Sequence, residues 1–297
     1  MRTILFTVLL GVALATVGCQ HPQEKIVIFH AGSLAMPLKA AADSFCLQHP
    51  NVQIITEASG SMDCARKITE LGRACDILAS ADYTVIDNLL IPEYTQTNIP
   101  FAGNELALVY TSASKYADSI NAQNWPYLLA QDDVFFGRSD PNADPCGYRT
   151  LLCWQLAATY YTTPAFPLAA LLEKDTRFIR PKEVDLIALL EAHAIDYMFI
   201  YKSVAIQHQL PYVALPKEIN LSDPALADAY AQAKVTIRGK KPGDSLEVKG
   251  TPMVYSLTIP FCAENPKTAQ AFVDYLLDPN GGQRILAAMG QTVFPAP

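Results

Sequence analysis

Residues 25–45, KIVIFHAGSLAMPLKAAADSF, pass from a β-branched apolar stretch through Gly32-Ser33 directly into an amphipathic helical pattern. A strand that ends where a helix begins aims unpaired backbone N–H groups and the positive end of the helix dipole at one spot, so a small anion can bind there. Ser33 reads as the cap of that helix. The plain alternative is an ordinary βα unit in which Ser33 does nothing else.

The same rhythm repeats along the chain. VQIITEA (52–58) precedes a helical pattern over 61–71, CDILASA (75–81) precedes one over 83–90, and ELALVY (105–110) follows as a further strand. This βαβα order predicts an α/β protein whose mainly parallel sheet carries helices on both faces, with ligands at the carboxyl ends of the strands. Beyond Tyr110 the alternation restarts, which predicts a second α/β lobe. Residues 224–252 read as a helix followed by a loose polar hairpin. MVYSLTIP and the segment after it read as strand, helix, turn and helix returning to the first lobe. The expected division is a leader over 1–18, a tether over 19–25, lobe 1 over 26–102 and 215–297, and lobe 2 over 103–214.

The leader has Arg2 as its charged end and an apolar run over 4–17 too short to cross a membrane comfortably. Gly18-Cys19 followed by QHPQEK resembles a bacterial lipoprotein processing site, so Cys19 is expected to be lipidated and the protein exported and membrane-tethered. Asp, Lys, Pro or His interrupts every later apolar run. The formal net charge of −7 argues against nucleic acid and against broad capture of anions, so an anion site must rely on local donors. Six further cysteines allow fifteen pairings, and their spacing selects none. No CxxC occurs and the histidines are scattered, which excludes a zinc site of regular spacing.

Three more segments repeat the logic of Ser33. Ser61 follows a strand and can cap the next helix. In DPNADPCGYRT, Asp144 is the expected cap, Pro145 the first helical residue, and the amides of Cys146 and Gly147 lie just behind. RPKEVDLIALLE repeats the pattern with Pro181, placing Glu183 in a first helical turn. Each has an ordinary structural reading as a cap or dipole partner, and Tyr201 reads equally well as a core aromatic. Two carboxylates beside a dianion repel it by several kcal/mol, on the order of what partly dry surroundings allow. Asp144 and Glu183 must therefore point away or bind an electrophilic centre inside the anion, which tungstate and molybdate offer and sulfate and phosphate do not.

The set FHAGSLAMPL (29–38), EASGSMDCARKITELGRACDILASADY (57–83), FAGNELALVYT (101–111), SDPNADPCGYRT (139–150), RPKEVDLIALLE (180–191), IDYMFIYKSVAIQH (195–208) and MVYSLTIP (253–260) resembles the tungstate/molybdate-binding proteins of ABC importers. These are the WtpA type, kin of the ModA type. The resemblance implies a type II periplasmic-binding fold: two α/β lobes with mainly parallel sheets, joined by crossing strands and closing over one oxyanion. It implies no catalysis, no cofactor, ABC permease subunits as membrane partners, and a monomer. Carried over by residue, it assigns oxygen contacts to Ser33 and Ser61, metal coordination to Asp144, an amide donor to Cys146, a second carboxylate to Glu183 with Glu191 as fallback, and a contact to Tyr201.

Two other readings remain open. One is a receptor for sulfate, phosphate, ferric iron or an organic anion. The other is an exported hydrolase using Ser33 or Ser61 with His30 and an Asp, although EASGSM is not a GxSxG elbow.

Overall fold

A computed structural model describes residues 24–162, 164–241 and 243–294. The leader, Cys19 and most of the expected tether lie outside the described residues. Two sheets form the body.

The first contains β1 (Glu24–Ala31), β2 (Val52–Ser59), β3 (Ile77–Ser80) and β4 (Ile99–Gly103). The second contains β5 (Leu106–Tyr110), β6 (Phe136–Ser139), β7 (Ile179–Arg180), β8 (Tyr197–Tyr201) and β9 (Tyr212–Ala214). Then come a hairpin, β10 (Lys234–Arg238) and β11 (Ser245–Lys249), and two strands that rejoin the first sheet, β12 (Val254–Thr258) and β13 (Thr292–Val293). The orders are β13-β4-β12-β3-β1-β2 and β7-β6-β8-β5-β9.

Most strands of each sheet point the same way. In the first sheet β12 and β13 run against the rest, and in the second β5 does. The central strands β3 and β8 are buried along their whole length, as strands covered on both faces must be.

Helices α1 (Ala35–Gln48), α2 (Ser61–Thr69) and α3 (Tyr83–Leu89) follow β1, β2 and β3, as the alternation predicts. In the second lobe α4 (Trp125–Leu129), α5 (Pro145–Tyr160), α6 (Leu168–Glu173), α7 (Asp185–Glu191) and α8 (Lys202–Gln207) cover the sheet. Its core is a cluster of edge-on aromatic rings: Trp154 lies 5.4 Å from Phe199 and 5.8 Å from Phe136. After the short α9 (Ala227–Tyr230), α10 (Pro266–Leu277) and α11 (Gly282–Ala288) close the chain. Phe45 of α1 meets Phe272 of α10 edge-on at 5.4 Å, which returns the C-terminal segment to the first lobe.

The lobes are joined where β4 leads through Asn104-Glu105 into β5. There the Leu106 N–H donates to Asn220 O, and Asn220 Nδ2 donates to Glu105 Oε2 at 2.8 Å, so the outgoing and returning crossings brace each other. Glu105 also pairs with Lys202 at 2.5 Å.

The hairpin is less loose than its polar sequence predicts. Val235, Ile237 and Val248 alternate inward and are buried, the period-2 pattern of a half-covered strand. It spans both lobes: Gln155 of α5 exchanges two bonds with the Lys234 backbone, and Arg238 pairs with Glu70 next to α2.

Candidate functional site

All six residues singled out in the sequence follow the carboxyl ends of strands that run in the same direction within their sheets. Ser33 follows β1, Ser61 follows β2, Asp144 and Cys146 follow β6, Glu183 follows β7, and Tyr201 ends β8. All are buried, none more than 1 % exposed.

Hydrogen bonds link them across the lobes. Ser33 N–H donates to Glu183 Oε1 at 2.6 Å, and Glu183 N–H donates to Asp144 Oδ2 at 2.8 Å. The other Asp144 oxygen accepts from Cys146 N–H at 3.0 Å. This is the N-cap expected of Asp144, with Pro145 as first helical residue.

The lobes approach so closely that glycine is required on the first. A Cβ on Gly60 would lie 2.2 Å from Ala143 O, and one on Gly32 would lie 2.9 Å from Glu183 Oε2.

Three local expectations are corrected. Ser33 does not cap α1; it sits in a 3-10 turn over Gly32–Leu34, and its hydroxyl is bonded to the Tyr255 hydroxyl at 2.9 Å. Ser61 does not cap α2; Gly60 occupies that position, and Ser61 Oγ accepts from Ala81 N–H at 3.0 Å. Pro181 does not open a helix, and Glu183 precedes α7 rather than lying in its first turn. The reason is shared: each side chain meets a partner from another segment that outcompetes the local backbone. The fallback Glu191 is exposed at the end of α7, whereas Glu183 is buried.

Burial drives the electrostatics. It raises the Asp144 carboxyl, and the Glu183 and Cys146 hydrogen bonds only partly offset that. It also pushes Glu183 well above the ordinary carboxylate range, with the Asp144 charge adding to the effect. Burial and the Asp144 charge thus hold Glu183 toward its protonated form while the cleft is empty of ligand. Its Oε2 has no hydrogen-bond partner. A buried carboxyl oxygen left unpaired is costly, so it is the natural attachment point for a ligand.

Among the described residues no three His, Cys, Asp or Glu side chains gather as a resident cation would require. Two carboxyls suit a metal that brings its own oxygens.

Several contributors escaped the sequence reading. Arg149, one turn beyond Cys146, is 1 % exposed, donates to Ala81 O at 2.7 Å and Tyr201 Oη at 3.1 Å, and pairs with Asp82 at 3.0 Å. Asp82 also accepts from Tyr148 Oη at 2.7 Å. Asp82 N-caps α3 in the first lobe and Arg149 belongs to the second, so this pair locks the lobes together. Burial opposes the Arg149 charge, yet Asp82 and the neighbouring tyrosines hold its pKa above normal. Burial raises the Tyr201 and Tyr255 hydroxyls, keeping both as neutral donors. Asn104, in the crossing segment, donates to Tyr255 Oη at 3.1 Å and Ser203 Oγ at 2.7 Å, tying the hinge to the site.

A nucleophilic role for the serines finds no support in this geometry. His30 is engaged with Ala31 O at 2.7 Å, and its pKa is lowered to about 4 by burial. The Ser33 hydroxyl is taken by Tyr255. Burial raises the Cys146 thiol well above normal, so it is inert.

Residues 26–291 match the family described as bacterial extracellular solute-binding protein. The molybdate/tungstate-binding protein WtpA of Thermococcus kodakarensis is 39% identical over 318 residues, covering 94% of this chain and 88% of its own. A solute-binding protein of Petrotoga mobilis is 48% identical over 273 residues, covering 92% and 85%. Among solved structures, the periplasmic molybdate-binding protein of Azotobacter vinelandii superposes with a TM-score of 0.62 at 15% identity, over 90% of this chain and 98% of its own. The sulfate-binding protein SubI of Mycobacterium tuberculosis does so with 0.63 at 13% identity, over 90% and 86%. One fold thus serves differently named anion receptors, and the fold alone selects no ligand. Its two lobes, crossing strands and matched length place the chain in the bacterial extracellular solute-binding protein family, with the type II periplasmic-binding fold.

Proposed function

We propose that this chain is a non-catalytic receptor for tungstate or molybdate, exported and held at the membrane by a lipid on Cys19, that delivers its cargo to an ABC importer as a monomer. One observation carries the ligand choice: Asp144 and Glu183 are buried side by side in the cleft, and Glu183 keeps a free oxygen. Once ionised, the two carboxylates repel sulfate or phosphate, whose central atoms accept no further oxygen ligands and so give Glu183 no reason to shed its proton. A tungsten or molybdenum centre accepts both and turns repulsion into coordination. The names of relatives at about 40% identity agree with this choice.

Ser33 and Ser61 then serve the anion's oxygens from the first lobe. The amide of Cys146 and the hydroxyl of Tyr201 serve them from the second. Closure joins the two halves, and the Arg149–Asp82 pair with its tyrosine partners forms in the same movement. The oxyanion is cargo, and no cofactor is involved.

Titration calorimetry tests the reading. Tungstate and molybdate bind tightly and sulfate at least about 100-fold more weakly, a difference of roughly 3 kcal/mol. Asp144→Ala stays folded, with a melting temperature lowered by the lost cap, and loses tungstate. The absence of heat with tungstate at micromolar protein overturns the proposal.

A further inference from the structure

Cys46, Cys64, Cys75, Cys146, Cys153 and Cys262 all stand as free thiols, but two of them are set apart by the sheet register. β12 pairs antiparallel with β3 through Thr258↔Leu78, Leu257↔Ala79 and Ser256↔Ser80. Past the end of that ladder the loop after β12 turns to bring Cys262 beside Cys75, just ahead of β3.

Their surroundings are pinned on both sides. Asp76 Oδ2 accepts from Val27 N–H at 2.8 Å, and its Oδ1 accepts from Asn265 N–H at 2.7 Å. The residue after Cys75 thereby clamps the loop that carries Cys262. Cys262 Sγ reaches Cys75 O at 3.9 Å, which sets the two cysteines side by side. Cys75 is 1 % exposed and Cys262 is open to solvent, so one thiol is accessible and the other waits behind it.

We propose that Cys75 and Cys262 form a disulfide in the exported protein, a redox staple that fastens the loop between β12 and α10 to the start of β3. The oxidant is a disulfide-bearing partner, either a thiol oxidoreductase or a small disulfide. The Cys262 thiolate attacks one sulfur of that disulfide and expels the other as a thiolate. The Cys75 thiol, losing its proton, then attacks Cys262 in the mixed disulfide and releases the second thiol. Two protons and two electrons leave the chain, and the oxidant ends as two thiols. The thiol of Cys75, hydrogen-bonded to Cys262, lowers the Cys262 pKa to about 6, which supplies the attacking thiolate at neutral pH. The staple closes most of the chain into one loop, and it lies at the far end of the strands from the carboxyl pair, so anion binding is untouched.

The experiment takes the full mature chain, incubates it with excess oxidised glutathione, blocks free thiols under denaturing conditions without reductant, and maps the peptides by mass spectrometry. The expected result is one linked peptide pair holding Cys75 and Cys262, with Cys46, Cys64, Cys146 and Cys153 blocked singly. The melting temperature then rises by on the order of 5–10 °C over the reduced chain. Cys262→Ser abolishes that rise and leaves tungstate affinity unchanged within about twofold. Recovery of both cysteines as singly blocked peptides, or a link from Cys75 to any other cysteine, overturns the proposal.

Discussion

Replacing Gly60 with alanine separates folding from closing. Gly60 has φ −59° and ψ 144°, a conformation alanine adopts freely, so in a chain whose lobes stand apart the substitution introduces no backbone strain and costs only the poorer N-cap that alanine gives α2. It also lowers the entropy of the unfolded chain, a gain of about 0.4–1 kcal/mol that roughly cancels the weaker cap. In the closed arrangement the new Cβ would sit 2.2 Å from Ala143 O and 2.7 Å from Ala143 C, both backbone atoms of the opposing lobe. That is roughly 1 Å short of ordinary contact, and backbone cannot swing aside as a side chain can.

Restoring contact by opening the hinge lengthens the bonds that span the cleft: Ser33 N–H to Glu183, Asp63 N–H to Ala143 O, and the Arg149 fork to Ala81 and Asp82. Hydrogen bonds to charged groups are worth about 1.5–3 kcal/mol each, so losing two of them predicts a decrease in tungstate affinity of roughly 10²–10⁴-fold. Calorimetry and a thermal melt on the same sample give both halves of the answer: affinity collapses while the ligand-free melting temperature holds or rises. Gly32→Ala acts by a different route: its Cβ would meet the Glu183 carboxyl at 2.9 Å and push that side chain, not the opposing lobe, aside, so it weakens tungstate through the ligating group. A Gly60→Ala protein that binds tungstate as tightly as the parent refutes closure at this contact.

Glu183→Gln removes a carboxyl whose folded pKa is raised. The folded form holds a proton that the unfolded chain releases above its ordinary pKa, so stability falls as pH rises from about 4.5 toward the folded value. The amide abolishes that loss: the ligand-free protein is more stable than the parent at neutral pH, while tungstate binding weakens more than tenfold. His30 gives the opposite slope. Its pKa is lowered from 6.5 to about 4, so the unfolded chain takes the proton first and about 3 kcal/mol of stability is lost as pH falls through that window. Urea unfolding at several pH values shows this slope in the parent and a shallower one in His30→Gln. Arg149→Lys keeps the charge but not the fork to Ala81 O, Tyr201 and Asp82, so it speeds tungstate dissociation by about tenfold in stopped-flow release.

Much of the fold was legible because its signals are local. The apolar run into Gly32, the strand–helix alternation and the Asp144-Pro145 cap each depend on neighbours in sequence, and each stands where the pattern placed it. What escaped depends on distant partners. Ser33 meets Tyr255 across 222 positions and Glu183 across 150, and no propensity of the 33–36 segment registers either. Both hydroxyls read as caps, yet tertiary partners claim them and the helix starts are met by backbone geometry. Arg149 lies inside the SDPNADPCGYRT segment without a local signal of its own, because its chemistry depends on Asp82, a distant residue that the strand–helix alternation does not single out. The hairpin looked loose because polar residues alternate with the three valine and isoleucine side chains that it buries.

A crystal structure of the tungstate complex puts the metal-coordination claim to its most direct test. The expected density shows tungsten with its own oxygens and, within bonding distance, carboxylate oxygens from both Asp144 and Glu183. A tetrahedral anion held only by hydrogen bonds, with either carboxyl turned away, contradicts it.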